Sequence, residues 1–273
     1  MKLFILFIVN FSYPQSQVFP LVVDVNNSLV RGPQASNITP FKLAPPTTMK
    51  VEVAPSDALD IFPVEGGLSG SGMTTRYWDC CKPACSWAGN TAYDTPIRSC
   101  EADGVTTSDA NEQSGCAANG TSYACSDQQT YVVNDSLAIG YVAASFVGGA
   151  DVSMCCECLL LTFDGELEGK QLLAQITNTG TDLENNHFDI AIPGGGVGYF
   201  NIGCSTQWGA PEDGWGERYG GVTSAEGCKD LPADLQHGCY WRFDWMRGVP
   251  NPNVTFVQVE CPVQLLAISG CGY

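Results

Sequence analysis

From Thr74 onward, apolar and polar residues alternate in short runs broken by Gly-, Asn- and Asp-rich turns, the period of strands with one buried face. In Gln171 to Asn178, Leu172, Ala174 and Ile176 alternate with Gln171, Gln175 and Thr177. In Tyr240 to Met246, Trp241, Phe243 and Trp245 alternate with Tyr240, Arg242 and Asp244, which predicts a strand there too. Leu159 to Phe163 and Val254 to Cys261 are apolar on both faces, as interior strands are. In His187 to Pro193, Phe188, Ile190 and Ile192 share one face, so Asp189 points to the other. Leu137 to Phe146, rich in Ala, admits a helix or a strand. The pattern predicts an all-β barrel or sandwich with a few short helices.

The first part of the chain follows different rules. Lys2 and the apolar run Leu3 to Val9 have the form of a signal peptide core, too short to cross a bilayer, with cleavage expected between Ser12 and Phe19. Residues 19–70 hold no Cys, carry seven Pro and end in the Gly- and Ser-rich run Gly66 to Gly72. They read as a Pro-rich extension or linker. The expected division is therefore 1–18 signal peptide, 19–70 extension and 71–273 folded domain. All 14 Cys lie between Cys80 and Cys271, an even and high count that fits seven disulfides and export to an oxidising compartment. Zinc is the rival use of Cys81-x3-Cys85 and Cys155-Cys156-Glu157-Cys158, but only two His accompany them, so no metal is expected. Five Asn-x-Ser/Thr sequons, at Asn26, Asn37, Asn119, Asn134 and Asn253, are compatible with glycosylation on the same route.

Charge narrows the partner. With 29 Asp plus Glu against 12 Lys plus Arg, a net charge of −17 repels nucleic acid and anionic membranes. A neutral polysaccharide suits a chain with six Trp and ten Tyr, whose flat faces pack against the C–H faces of sugar rings. Zinc-protease, phosphate-loop and Ser-His-Asp patterns are missing, and no cofactor motif takes their place. Carboxylates remain, and glycoside hydrolysis needs two: one protonated to assist the leaving oxygen, one ionised to activate water or attack carbon. Asp189 on its strand is one candidate, and a plain solvated strand residue is the alternative.

The segment Thr74-Thr75-Arg76-Tyr77-Trp78-Asp79-Cys80-Cys81-Lys82-Pro83-Ala84-Cys85-Ser86-Trp87 closely resembles the signature of glycoside hydrolase family 45, small disulfide-rich endoglucanases. The runs Asn186 to Gly198 and Gly238 to Trp245 add two further matches, so the resemblance extends from about Thr74 to the C-terminus. It implies a six-stranded double-psi β-barrel with long disulfide-linked loops, and inverting hydrolysis of internal β-1,4-glucan bonds; with the export signals this describes a secreted enzyme, expected as a monomer because an open cleft on a small barrel requires no partner. Carried over, it makes Asp79 the general base, Asp189 the general acid and Asp182 an assisting carboxylate. Trp87 resembles a sugar-stacking platform of the family, and an extended Thr74 to Asp79 puts Thr75, Tyr77 and Asp79 on one face, which makes Tyr77 a candidate sugar contact beside the base; core packing is the competing role for each, and Lys82 and His187 are candidates to bind substrate and tune the charge of the site. The same resemblance implies the pairs Cys80–Cys204, Cys81–Cys116, Cys85–Cys155, Cys100–Cys125, Cys156–Cys271, Cys158–Cys261 and Cys228–Cys239.

The mechanism further asks that Asp189 be raised in pKa by burial or neighbouring negative charge, while hydrogen bonds or a cation keep Asp79 ionised. Two departures from the family pattern stand out. Tyr199 to Cys204 is one residue longer, with Asn201 in place of an Asp, and the Trp208 to Trp215 loop with Glu212 and Asp213 is unusual. Two other classes compete: an expansin-like wall-loosening protein that binds glucan without cleaving it and lacks the base, and a disulfide-rich binding module or inhibitor for a basic partner.

Overall fold

The computed structural model describes residues 59–272 apart from Thr181 and Glu184. The expected signal segment, Asn26, Asn37 and most of the Pro-rich extension lie outside these residues. Seven strands form one sheet: β1 (Ser69–Tyr77), β2 (Tyr131–Val132), β3 (Leu137–Ser145), β4 (Cys158–Phe163), β5 (Gln171–Thr179), β6 (His187–Ala191) and β7 (Asn253–Val259). Their order is β2-β3-β5-β4-β7-β1-β6, and β6 also pairs with β3, which closes six of them into a barrel. Pairing is parallel for β1/β6 and β3/β5 and antiparallel elsewhere. Closure leaves the barrel strands no free edge.

Alternation explains which side chains fill the barrel. Phe188 and Ile190 of β6, Leu159 and Leu161 of β4, and Val254 and Phe256 of β7 point inward into one buried cluster. Phe188 meets Phe256 and Phe146 edge-on, with ring centroids 5.0 and 5.9 Å away. Asp189, between two inward residues, is turned outward as expected.

Three short helices decorate the barrel: α1 (Ile202–Trp208), α2 (Ala233–Asp244) and α3 (Val263–Ser269). The strand expected at Tyr240 to Met246 is instead the second half of α2 and its exit. The alternation of aromatics there is a window that opens in mid-helix. Over the full element the buried positions are Leu235, Gly238, Cys239, Trp241 and Arg242, a helical spacing that starts after Pro232. Trp241 and Trp245, four residues apart, stack with centroids 5.1 Å apart, as side chains on one helical face do. The ambiguous Leu137 to Phe146 run is strand β3, buried from Ala138 onward, with β5 along one edge and β2 and β6 along the other.

The Gly- and Ser-rich run expected to end a spacer enters the barrel as β1. Ahead of it, Pro63 pairs with Val259, and Leu59 and Ile61 pack on a second apolar cluster, so the boundary drawn at residue 70 falls inside the folded unit. The small residues serve close approach: a Cβ on Gly72 would stand 2.2 Å from the Asn186 carbonyl oxygen.

The seven disulfides are those the resemblance implies, and they leave no free Cys for the zinc reading. Each is expected to contribute about 2–4 kcal/mol, chiefly by constraining the unfolded chain, and more for longer loops. Removing Cys80–Cys204, whose partners are 124 residues apart, should therefore lower the urea midpoint more than removing Cys228–Cys239, whose partners are 11 apart. Equal shifts for the two double Ala variants would contradict the chain-entropy account.

Candidate active site

Strand β1 runs beside β6 with Thr75 opposite Asp189 and Tyr77 opposite Ala191. Thr75 Oγ1 donates to Asp189 Oδ1 at 2.6 Å and lies 2.7 Å from His187 Nε2. Thr75 has one proton, given to Asp189, so its lone pairs accept from the imidazole and His187 carries its proton on Nε2. Two residues past the end of β1, Asp79 Oδ1 accepts from the Cys81 backbone N–H at 2.9 Å. That short turn is forced by Cys80, which has φ 63, a left-handed value uncommon outside Gly, and is bridged to Cys204 of α1. Gly203 lets the helix approach, since a Cβ there would stand 2.3 Å from the Asp79 carbonyl oxygen.

Three adjoining cavities make one groove. The first, about 330 Å³, is lined by Thr75, Arg76, Asp182, His187, Asp189 and Tyr219. The second, about 260 Å³, shares Asp182 and Asp189 and adds Asp79, Asn178 and Phe200. The third, about 310 Å³, continues from Asp79 and Phe200 to Trp87. Both paired-carboxylate candidates and the exposed Asp182 thus face one groove, with the half-buried Trp87 at one end and Tyr219 at the other.

Burial dominates the electrostatics. Loss of water lifts Asp189 to about 7, opposed by the Thr75 hydrogen bond and helped by the charges of Asp79 and Asp182, while Arg76 pulls it back. Asp79 rises to about 6 for the same first reason, opposed by the backbone N–H groups of Cys81 and of Asp79 itself and helped by Asp182. Asp189 is thus raised as expected, but Asp79 does not keep an ordinary carboxylate pKa, because burial outweighs the two backbone hydrogen bonds. Tyr77 is also raised, first by burial and then by Asp79, and its hydroxyl accepts from Asn178 Nδ2 at 3.3 Å.

The expected roles of Lys82 and Trp87 differ in detail. Lys82 is only 5% exposed, and its Nζ donates to the backbone carbonyls of Asp109, Ala110 and Glu112. It also stands 4.0 Å above the Trp87 ring. Lys82 therefore ties a loop and backs the Trp87 ring, rather than offering a free charge to the groove. Asn178 is a groove residue that sequence reasoning missed. A bulge in β5 skips Thr177 in the pairing with β3 and re-aims the next side chain, so Asn178 Oδ1 accepts from Ala84 N while its Nδ2 reaches Tyr77. The aromatic pair Tyr199 and Phe200, with centroids 5.1 Å apart, lies in the stretch that is one residue longer than the family pattern; Phe200 is 54% exposed at the groove edge.

A groove floored by outward barrel residues, with two half-buried carboxylates of raised pKa and aromatic side chains along it, defines a glycosidase of the all-β class. The family model for glycosyl hydrolase family 45 matches residues 71–272, and the chain belongs to that family. An endoglucanase of Phaedon cochleariae is 53% identical over 220 residues, which cover 80% of this chain and 90% of the relative. An endoglucanase of Cryptopygus antarcticus is 50% identical over 213 residues, 77% of this chain and 93% of the relative. The crystal structure of the cellulase from that Antarctic springtail superposes with a TM-score of 0.71 at 51% identity, covering 75% of this chain and 97% of its own. The chain is an endo-1,4-β-glucanase.

Because Asp189 is raised in the folded state, the native protein binds more protons than the unfolded chain between the ordinary carboxylate pKa of 3.8 and about 7. Stability from this group is complete below the lower value and is lost as pH rises through the upper one. Asp189→Asn, which stays neutral, should raise the thermal midpoint relative to wild type at pH 8 and lose that advantage at pH 3. A variant less stable than wild type at pH 8 would contradict the burial of the charge.

Proposed function

We propose that the protein is a secreted enzyme that cuts internal bonds of β-1,4-glucan with inversion, Asp79 serving as general base and Asp189 as general acid. The observation that carries this reading is one groove holding two half-buried carboxylates, both lifted by loss of water and Asp189 the higher of the two. Thr75 donates a hydrogen bond to Oδ1 of Asp189, so the acidic proton is assigned to Oδ2. Asp79 takes a proton from water, the water oxygen bonds to the anomeric carbon, and the glycosidic bond breaks as Asp189 gives its proton to the departing oxygen. The charge of Asp182 raises both carboxylates and so helps keep Asp189 protonated until it acts. Tyr77, Trp87 and Phe200 supply apolar faces for sugar rings along the groove.

Secretion is supported by the apolar N-terminal run and by seven disulfides that need an oxidising compartment. The sequon residues Asn119, Asn134 and Asn253 are exposed, as glycan acceptors must be.

Proton NMR of cellohexaose during digestion tests the reading. Wild type should release α-anomer reducing ends first, and Asp79→Asn and Asp189→Asn should each abolish their release. Early β-anomer would overturn inversion, and binding without cleavage would favour the expansin-like alternative.

The pH profile of kcat/KM should be a bell with its acid limb near pH 6, where Asp79 loses its proton, and its alkaline limb near pH 7, where Asp189 does. The two limbs belong to the coupled pair, and Asp182→Asn should move both to lower pH by removing a negative charge. A plateau extending well above pH 8 would contradict a protonated Asp189 as the acid.

A further inference from the structure

A cavity of about 620 Å³ shares no lining residue with the groove. The two are separated by the hairpin 215–222, which gives Arg218, Tyr219 and Gly220 to the groove and Trp215, Gly216 and Val222 to this second cavity. Its other walls are the end of α1 at Trp208 and the short 3₁₀ helix Ala225–Asp230.

These walls are fixed before any ligand arrives. The hairpin is pinned by Arg242 Nη1, which donates to the Val222 carbonyl at 2.7 Å and to the Gly220 carbonyl at 3.1 Å, and by Val222 N donating to the Gly194 carbonyl at 2.9 Å. Arg76 Nε adds a second guanidinium contact to the same Gly220 carbonyl, at 3.1 Å. The 3₁₀ helix is tied to α2 by Cys228–Cys239. Gly209, with φ 67, ends α1 and leaves Trp208 at the mouth. A preformed cavity spares its ligand the entropy of ordering the walls.

The lining selects the ligand by chemistry. Trp208 is half-buried, Trp215 is 7% exposed and forms the floor, and Thr223, Ser224 and Asp230 stand exposed around them. No Lys or Arg lines the cavity, so an anion finds no counter-charge, and a single carboxylate falls short of a cation's ligand set. An indole face beside hydroxyl and carboxylate acceptors fits a neutral polyhydroxylated ring, with its C–H face on the indole and its hydroxyls on the polar rim.

We propose that this cavity is a second glucan-binding site, which holds a stretch of β-1,4-glucan outside the groove and keeps the enzyme on its polymer. The proposal rests on the glucanase reading of the groove for the identity of the polymer. It differs from that reading in predicting retention on the polymer that is independent of cleavage.

The test uses two measurements on the full chain. In an Asp79→Asn background, sedimentation with insoluble cellulose reads retention; in the active background, cellohexaose turnover reads the groove. Trp208→Ala, Asp230→Ala and Thr223→Arg should each lower retention about tenfold while leaving kcat/KM on cellohexaose within about twofold of wild type. Undiminished retention in Asp230→Ala and Thr223→Arg, both at exposed positions, overturns the proposal. A loss confined to Trp208→Ala with a lowered thermal midpoint also overturns it, because that marks the ring as packing. Parallel loss of cellohexaose turnover overturns it by joining the cavity to the groove, and retention on chitin but not on cellulose overturns the ligand class. Wild-type protein that leaves cellohexaose intact instead sinks the glucanase reading, and the retention series still reports on the cavity.

Discussion

Everything functional in this molecule depends on strand β6 lying between β1 and β3. That placement closes the barrel, and it commits Phe188 and Ile190 to the interior, which turns Asp189 outward with no freedom to do otherwise. The parallel register with β1 then sets Thr75 opposite Asp189 and lets a hydroxyl reach the carboxylate at 2.6 Å. A slip of one residue in this pairing would exchange the core and groove faces of β6 together. The precision of the site is therefore inherited from the hydrophobic core and is not a local arrangement of loops.

The groove pays for that precision in charge. Two carboxylates sit where burial penalises ionisation, in a chain whose net charge of −17 adds no general relief. Arg76 is the cation whose charge pulls Asp189 back, and its own side chain is turned to the Gly220 carbonyl and to Asn251 Oδ1 at 2.9 Å. The protein thus uses a structural cation at a distance instead of a salt bridge, which leaves Asp189 able to hold a proton near neutral pH. A direct ion pair would have driven its pKa the other way.

How far this was legible in the sequence depends on the element. Strands β4, β5, β6 and β7 follow from alternation or apolar runs because the period-two signal is strong wherever a barrel interior is being filled. Helix α2 misleads because Tyr240, Trp241 and Phe243 are residues that strands favour, and its true period appears only when Leu235 and Gly238 are included. The start of β1 misleads in the opposite sense: Gly and Ser look like a spacer, yet at Gly72 they admit the neighbouring Asn186 backbone. In the site, alternation alone turns Asp189 outward, whereas the role proposed for Asp79 rests on the family resemblance. Asn178 was illegible because its direction depends on a bulge, and Lys82 because its carbonyl partners lie 27 to 30 residues away in a loop.

The seat of Asp79 bears on its proposed role as the base. A non-hydrolytic barrel of this class has no use for a base, and nothing would then maintain the costly features beneath that side chain. Here Cys80 adopts a left-handed backbone, a disulfide 124 residues long in sequence holds it there, and Gly203 is required because any Cβ would strike the Asp79 carbonyl oxygen. The Cys81 N–H that results points at a carboxylate oxygen and would be left without this acceptor in an apolar replacement. Strain, cross-link and donor converge on one carboxyl group whose burial itself costs stability at neutral pH. Such expense is intelligible when the carboxylate takes part in the chemistry, and it is the physical reason to propose Asp79, among the groove carboxylates, as the base.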